Sequence, residues 1–401
     1  MKNKSLILLA SLSILLITSC TDKQTKKELR THKNAVLVHN YINQIKNQND
    51  AALKRYVEAM PLEQKIAQMF IENLEGCTKF RSYETVGAMT GFEDATPLVA
   101  GGYLFFSYNI ADSREQMKDY IKSIRDYCDS YGIIQPYLSV DQEGGWVNRL
   151  KKINPPLVSN EKVAEQYDAG QAYELYCEQA AGMKELGFDM NLAPVVEVCT
   201  QDNKEFLDGR SFGEVQKVIR YGTACINAYE NNQIATVIKH FPGNTNTDPH
   251  TGLPEITLSK EDLDESIKSF KELVKLEPAA ILMSHARTSA VDKGVPACLS
   301  KIWVTDILRN QYDYKGLIFS DDIFMGALAD NGYPPEVAAC LAVEAGVDCI
   351  MISEKRFAKA GAVLYKKALV DKEFEEKINV AVKRILTYKI KAGLIDEKQI
   401  Y

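Results

Sequence analysis

The sequence predicts an α/β protein whose single main domain is a (β/α)8 TIM barrel. Eight apolar, strand-like runs recur along the 401 residues with helical patterns between them. Most of these runs end in charged or hydrogen-bonding residues, and a parallel barrel gathers such ends on one face. A doubly wound sheet would also bind ligands at strand ends, but the chain carries neither GxGxxG nor a phosphate-binding loop.

In order, the runs are Ile66–Phe70, Gly102–Phe106, Pro136–Val140, Asn191–Val196, Ala235–Ile238, Ala279–Met283, Gly316–Phe319 and Cys349–Ile352. Ser113 and Gln116 form a capping pair ahead of Met117, Tyr120, Ile121, Ile124 and Cys128, which share one helical face. Ser259 stands likewise before Asp262, and Leu263, Ile267, Phe270 and Val274 make a second stripe. Both stripes are read as packing against the sheet. The strand ends are followed by Asp141, Glu197, Lys239-His240, Ser284-His285, Ser320-Asp321-Asp322 and Ser353-Glu354.

The composition is that of a globular chain, with 46% hydrophobic and 25% charged residues. A net charge of -6 argues against a nucleic-acid partner or an anionic membrane surface. The N-terminus differs. Lys2 and Lys4 precede an apolar run from Leu6 to Ile17, too short to span a bilayer but suited to a signal peptide. Ile17-Thr18-Ser19-Cys20 resembles a bacterial lipobox, which makes Cys20 the lipidated residue. Residues 1–20 are therefore read as a lipoprotein signal peptide, 21–50 as a polar tether and 51–401 as the barrel domain. The expected place is the cell envelope, with the lipid as the membrane contact. Thr21 rather than Asp after Cys20 favours an outer membrane, if the organism has one and sorts by the enterobacterial rule. The other eight cysteines are scattered without a CxxC pair and are expected to be buried free thiols. Neither a metal nor a cofactor is expected, and the oligomeric state is not legible.

The residues with most chemistry are Lys239-His240-Phe241-Pro242-Gly243 and, just beyond, Asp248-Pro249-His250. A carboxylate beside an imidazole is a proton-transfer unit near neutral pH. The Gly-, Asn- and Thr-rich loop from Gly243 to Gly252 is expected to be mobile and to close over a substrate. His285 and Glu197 are expected to be structural, Glu143 a turn residue before Gly144-Gly145, and His32 and His39 parts of the tether region without catalytic work.

These motifs keep company with others. Asp141-Gln142-Glu143-Gly144-Gly145, Arg149, Arg210-Ser211-Phe212-Gly213, Met283-Ser284-His285 and Ser320-Asp321-Asp322-Ile323-Phe324-Met325 complete an ordered set. In that order and spacing the chain resembles bacterial β-N-acetylglucosaminidases of glycoside hydrolase family 3, the NagZ-like group. The likeness runs from Pro61-Leu62-Glu63-Gln64-Lys65-Ile66 to about the end of the eighth strand. It implies that Asp321 is the nucleophile, His250 the acid/base and Asp248 its orienting partner. It further implies that Asp141, Arg149, Arg210, Lys239 and His240 hydrogen-bond the sugar at the non-reducing end. Chemistry alone does not choose between Asp321 and Asp322, whose side chains point to opposite sides of a strand; the resemblance selects Asp321.

The implied reaction is exo-acting, retaining removal of terminal N-acetylglucosamine from muropeptides, chitin oligosaccharides or glycoconjugates, through a glycosyl-enzyme. A β-glucosidase of the same family is the enzymatic alternative. Those enzymes usually add a second α/β domain, for which too few residues follow Ile352, and usually carry Trp where Asp322 stands. A non-catalytic glycan-binding lipoprotein would not need a nucleophile paired with an acid/base. The chain departs from the family pattern at Trp146, where Arg is usual, and at Asn244-Thr245, where His-Gly is usual; the loop to Asp248 is also slightly shorter.

Overall fold

A computed structural model describes residues 48–400. The lipobox, Cys20, His32, His39 and most of the expected tether lie outside the described residues; residues 48–59 are helical. One sheet contains eight parallel strands: β1 (Phe70–Asn73), β2 (Gly102–Phe105), β3 (Tyr137–Val140), β4 (Met190–Asn191), β5 (Ala235–Phe241), β6 (Ala280–Met283), β7 (Leu317–Phe319) and β8 (Ile350–Met351). Each lies beside its neighbours in sequence, and β8 pairs with β1 through Phe70↔Ile350 and Ile71↔Met351. The seam between β7 and β8 is closed by a Phe319–Cys349 bridge; Ser320 N–H donates to the Cys349 carbonyl at 2.9 Å. The molecule is thus the (β/α)8 barrel that the strand count predicts.

Three run assignments need correction. Ile66–Phe70 is not the first strand: Leu62–Gln68 is a helix behind Pro61, and the strand starts at Phe70. The whole stretch from Ile66 to Leu74 is buried, so its apolar run carries no period that separates helix from strand. Asn191–Val196 contributes only Asn191 to the regular strand Met190–Asn191; Pro194 has no N–H for the ladder, and beyond it Val195 makes an isolated bridge to Lys239. The fifth strand, in contrast, continues to Phe241, so Lys239 and His240 sit within it. Phe241 is fully buried against the rings of Phe270 and Trp303, with centroids 5.2 and 5.3 Å away. Edge-to-face pairs of this kind are worth about 0.5–1.5 kcal/mol each, and here they pin the strand end that carries the two polar residues.

The first helical stripe is as expected. Arg114–Tyr131 is capped by Ser113, whose hydroxyl accepts from Gln116 N–H, and its five stripe residues are buried. The second stripe is buried too, but its helix breaks at Ile267 into Lys260–Ser266 and Lys268–Leu273. All eight described cysteines are unpaired thiols; Cys128, Cys225, Cys298 and Cys349 are buried and the other four half-buried.

One buried cation lies in the C-terminal helix Lys372–Lys391. The Lys389 amine donates to Gln68 Oε1 at 2.6 Å and lies 5.7 Å from the centre of the Tyr137 ring. Burial pushes it down to about 7. A lysine that titrates near 10.4 when unfolded and near 7 when folded must lose a proton to fold between those values. Its contribution to stability therefore worsens as pH falls from about 10 towards 7. Lys389→Met is expected to stabilise the fold at pH 7 by about 2–4 kcal/mol and to flatten the pH dependence above 7. Urea unfolding at pH 7 and 9.5 measures both effects, and equal slopes for the two proteins would disprove the assignment.

Candidate active site

The strand ends place most of the candidate residues on one rim. Asp141 follows β3 directly. A short hairpin, Gln142–Gly144 paired with Val147–Asn148, carries the chain to Arg149. Arg210 lies in the segment after β4, Lys239 and His240 close β5, Asp248 and His250 occupy the loop beyond, and Asp321 follows β7.

Four charges form one buried network. The Lys239 amine lies 2.6 Å from both Asp141 Oδ1 and Glu143 Oε1. Glu143 also receives Arg210 through two hydrogen bonds, Nε to Oε2 at 2.8 Å and Nη2 to Oε1 at 3.0 Å. Burial alone would push the Glu143 carboxyl up, but Arg210 and Lys239 overcome it and hold it well below the usual carboxylate range. Burial would likewise lower Lys239, and Asp141 and Glu143 raise it instead. Both cations stay charged inside the rim. The Arg210 guanidinium also lies over the Phe206 ring, 5.6 Å from its centre. Arg149 is held more loosely: its Nη1 is 3.4 Å from Ser107 Oγ and its buried Nε has no partner.

A second network fixes the end of β5. Glu197, buried after β4, lies 2.7 Å from His240 Nδ1 and accepts Asn244 N–H at 2.7 Å. The Asn244 side-chain amide reaches the same carboxylate at 3.2 Å. Asn244, a departure in the sequence pattern, thus helps anchor the start of the loop. The peptide bonds Lys239–His240 and Phe241–Pro242 are both cis.

The Asp248/His250 pair is formed. Asp248 Oδ1 lies 2.7 Å from His250 Nδ1 and accepts His250 N–H at 2.9 Å. The backbone bond chiefly lowers the Asp248 carboxyl and keeps it ionised. The loop touches the segment after β7, where Ala327 N–H donates to the Pro249 carbonyl at 3.0 Å. The His250 side chain is 72% exposed.

The two adjacent aspartates after β7 differ in use. Asp322 Oδ1 accepts Phe324 N–H at 3.0 Å and Ser353 N–H at 2.9 Å, so it ties β7's end to β8's. Asp321 accepts only from Asp322 N–H at 2.8 Å among the described bonds, which leaves its carboxylate lone pairs largely unspent. His285 is fully buried beside them. Its Nδ1 is 3.3 Å from Cys298 Sγ and its Nε2 has no partner. Burial pushes this imidazole down, and the charges of Asp321 and Asp322 oppose that.

The eight predicted residues outside the N-terminal segment thus lie at or beyond the C-terminal ends of β3, β4, β5 and β7, with Asp248 and His250 in the loop after β5, and the structure corrects one neighbour. Glu143 is not an idle turn residue: it holds the two cations together. Nothing local to Asp-Gln-Glu-Gly-Gly identifies that role, because Arg210 and Lys239 are far along the chain. Glu197 is structural as expected, with the specific task of orienting His240 and Asn244.

Residues 62–388 match the glycosyl hydrolase family 3 N-terminal domain. A β-hexosaminidase of Psychromonas ingrahamii is 33% identical over 278 residues, covering 67% of this chain and 79% of that protein. β-Hexosaminidase A of Pseudoalteromonas piscicida is 26% identical over 321 residues; the match covers 73% of this chain but 53% of that longer protein. A glycoside hydrolase family 3 β-N-acetylglucosaminidase from Paenibacillus sp. superimposes with a TM-score of 0.75 at 28% identity. The superposition covers 84% of this chain and 63% of that one. The family match spans every barrel strand and every residue of the site, and the chain is therefore a glycoside hydrolase belonging to glycosyl hydrolase family 3.

Proposed function

We propose that the chain is an exo-acting, retaining β-N-acetylhexosaminidase. The observation that carries this reading is the preformed Asp248–His250 dyad, anchored to the segment that follows Asp321. The names of the relatives above support the sugar specificity. In the proposed reaction the Asp321 carboxylate attacks the anomeric carbon as the glycosidic bond breaks, and His250 gives a proton to the departing oxygen. Water then attacks the glycosyl-enzyme, loses its proton to His250 and frees Asp321. Asp248 stabilises the imidazolium and fixes the ring, as the aspartate of a catalytic triad does. Asp141, Arg149, Arg210, Lys239 and His240 hold the terminal sugar's hydroxyl groups so that the anomeric carbon meets Asp321. A cavity of about 490 Å³ lined by Glu197, Asn203, Asn244 and Thr245–Thr247 adjoins the start of the dyad loop.

Hydrolysis of 4-nitrophenyl N-acetyl-β-D-glucosaminide and the matching β-glucoside by residues 21–401 tests the reading. Rapid release from the N-acetyl sugar alone, with the β-anomer formed first by NMR, is the expected result. Preference for the glucoside would overturn the specificity, and release from neither would overturn the activity. Asp248→Asn is expected to lower kcat by about 10²–10⁴-fold with little change in KM, because the imidazolium loses its counter-charge. An unchanged kcat would remove Asp248 from the mechanism.

The same proposal places the enzyme on the cell envelope through lipidated Cys20, acting on wall fragments or related glycans. Full-length chain is expected to partition into detergent and the Cys20→Ser chain into water; equal partitioning would refute the anchor.

A further inference from the structure

Trp146 stands where the site's own hairpin turns outward. It is 79% exposed, the most exposed aromatic side chain among the described residues, whereas the chain's other tryptophan, Trp303, is fully buried with its N–H bonded to Thr288. Burying an indole is strongly favourable, so an isolated exposed one is informative only where its surroundings are specific. Here they are. The hairpin that carries Trp146 begins at the residue after Asp141, contains Glu143 and delivers Arg149. Trp146 is three residues from both Glu143 and Arg149, so each lies within about 10 Å even along a fully extended chain.

The tip is also rigid. Gly144 and Gly145 both have positive φ, 97° and 58°. A Cβ on Gly144 would lie 2.2 Å from the Val158 carbonyl oxygen, and Gly145 N–H donates to the Leu157 carbonyl at 3.0 Å. The backbone is pressed onto residues 157–159, so the place of Trp146 at the turn is set by the fold. In the same region Asn160 donates to the Arg210 carbonyl at 2.7 Å. An exposed indole is thereby anchored through its backbone on the same hairpin as Glu143 and next to Arg149.

An exo-acting site encloses the terminal sugar, so the remainder of the glycan leaves through the mouth. We propose that Trp146 is the stacking platform for a sugar ring on the leaving-group side of the scissile bond, in an oligosaccharide of β-linked N-acetylhexosamines. This rests on the activity proposed above. The C–H-rich face of a pyranose and the face of an indole are complementary, and the contact needs no hydrogen bond from the ring. It selects glycan leaving groups over small ones and acts mainly through KM.

Two substrates separate this from the activity itself: N-acetyl-β-glucosaminyl fluoride, which has no ring to stack, and triacetylchitotriose. Trp146→Ala is expected to lose about tenfold in kcat/KM on the trisaccharide relative to its change on the fluoride, mostly in KM, and Trp146→Phe to recover much of it. An unchanged ratio overturns the platform. So does a wild-type enzyme that turns over the fluoride but ignores the trisaccharide. If wild type turns over neither, the activity reading falls, and fluorescence decides the platform alone. Trisaccharide is expected to shift the emission of the exposed indole in Asp321→Asn and not in Asp321→Asn/Trp146→Phe. Emission that does not move with the trisaccharide overturns the inference.

Discussion

Asp321→Ala is expected to lower kcat on the nitrophenyl substrate by at least about 10⁴-fold, equivalent to about 5.5 kcal/mol of barrier, while the fold survives. The carboxylate is half-buried, accepts one described hydrogen bond from its neighbour's N–H and makes no ion pair among the described residues, so its removal leaves little structure unsupported. Added azide should restore release of nitrophenol from Asp321→Ala. It can enter the space of the lost carboxylate, attack the anomeric carbon and leave an α-glycosyl azide. A β-azide, or no rescue with turnover intact, would show that Asp321 is not the nucleophile. The matched control is Asp322→Ala. Its carboxylate serves Phe324 and Ser353 N–H groups, and burial pushes it up, so the expected loss is in stability. Phe324 is half-buried and Ser353 exposed, so water can take over part of what is lost, and each bond removed costs about 0.5–1.5 kcal/mol. The pair of variants thus separates adjacent aspartates by the quantity each one changes.

That separation shows what the sequence could and could not disclose. Eight apolar runs and their polar ends are enough for a barrel, because strand ends converge whatever lies between them. The dyad was legible because Asp248 and His250 are two residues apart and their bond is local. Asp321 against Asp322 was not decidable from chemistry: the distinction lies in which backbone donors each carboxylate meets, and Ser353 is 31 residues away. The first strand was misplaced because burial on both sides from Ile66 to Leu74 erases any period. The work of Asn244 was hidden for another reason. An Asn in a Gly- and Thr-rich loop looks like turn chemistry, yet its N–H and amide both serve Glu197, which sits one strand away.

Glu143→Gln is the substitution with the largest expected effect on both stability and binding. Glutamine keeps the shape of the side chain and removes the one charge shared by Lys239 and Arg210. Lys239 retains Asp141, but Arg210 loses its bidentate partner while remaining mostly buried. Removing one member of a buried ion pair typically costs about 3–5 kcal/mol, because the charge left behind has no compensation. Urea unfolding at pH 7 should show that loss. The pH dependence supplies a second check. Glu143 is held well below its unfolded value, so its contribution is complete above about pH 5 and disappears as pH falls. Wild type and Glu143→Gln should therefore converge in stability as the solution is acidified. Lys239 is raised, so its contribution is lost instead at alkaline pH, beyond about 10. Pairing the change with Arg210→Gln makes the argument sharper. If the cost comes from an uncompensated guanidinium, Glu143→Gln/Arg210→Gln must be more stable than the sum of the single losses by about 1–3 kcal/mol. Strict additivity would mean that Glu143 supports the rim through packing alone. On substrate, if Lys239 and Arg210 hold the terminal sugar as proposed, both single variants are expected to raise KM and lower kcat/KM by about 10²-fold or more, because each removes either a sugar-binding cation or the anion that aims it.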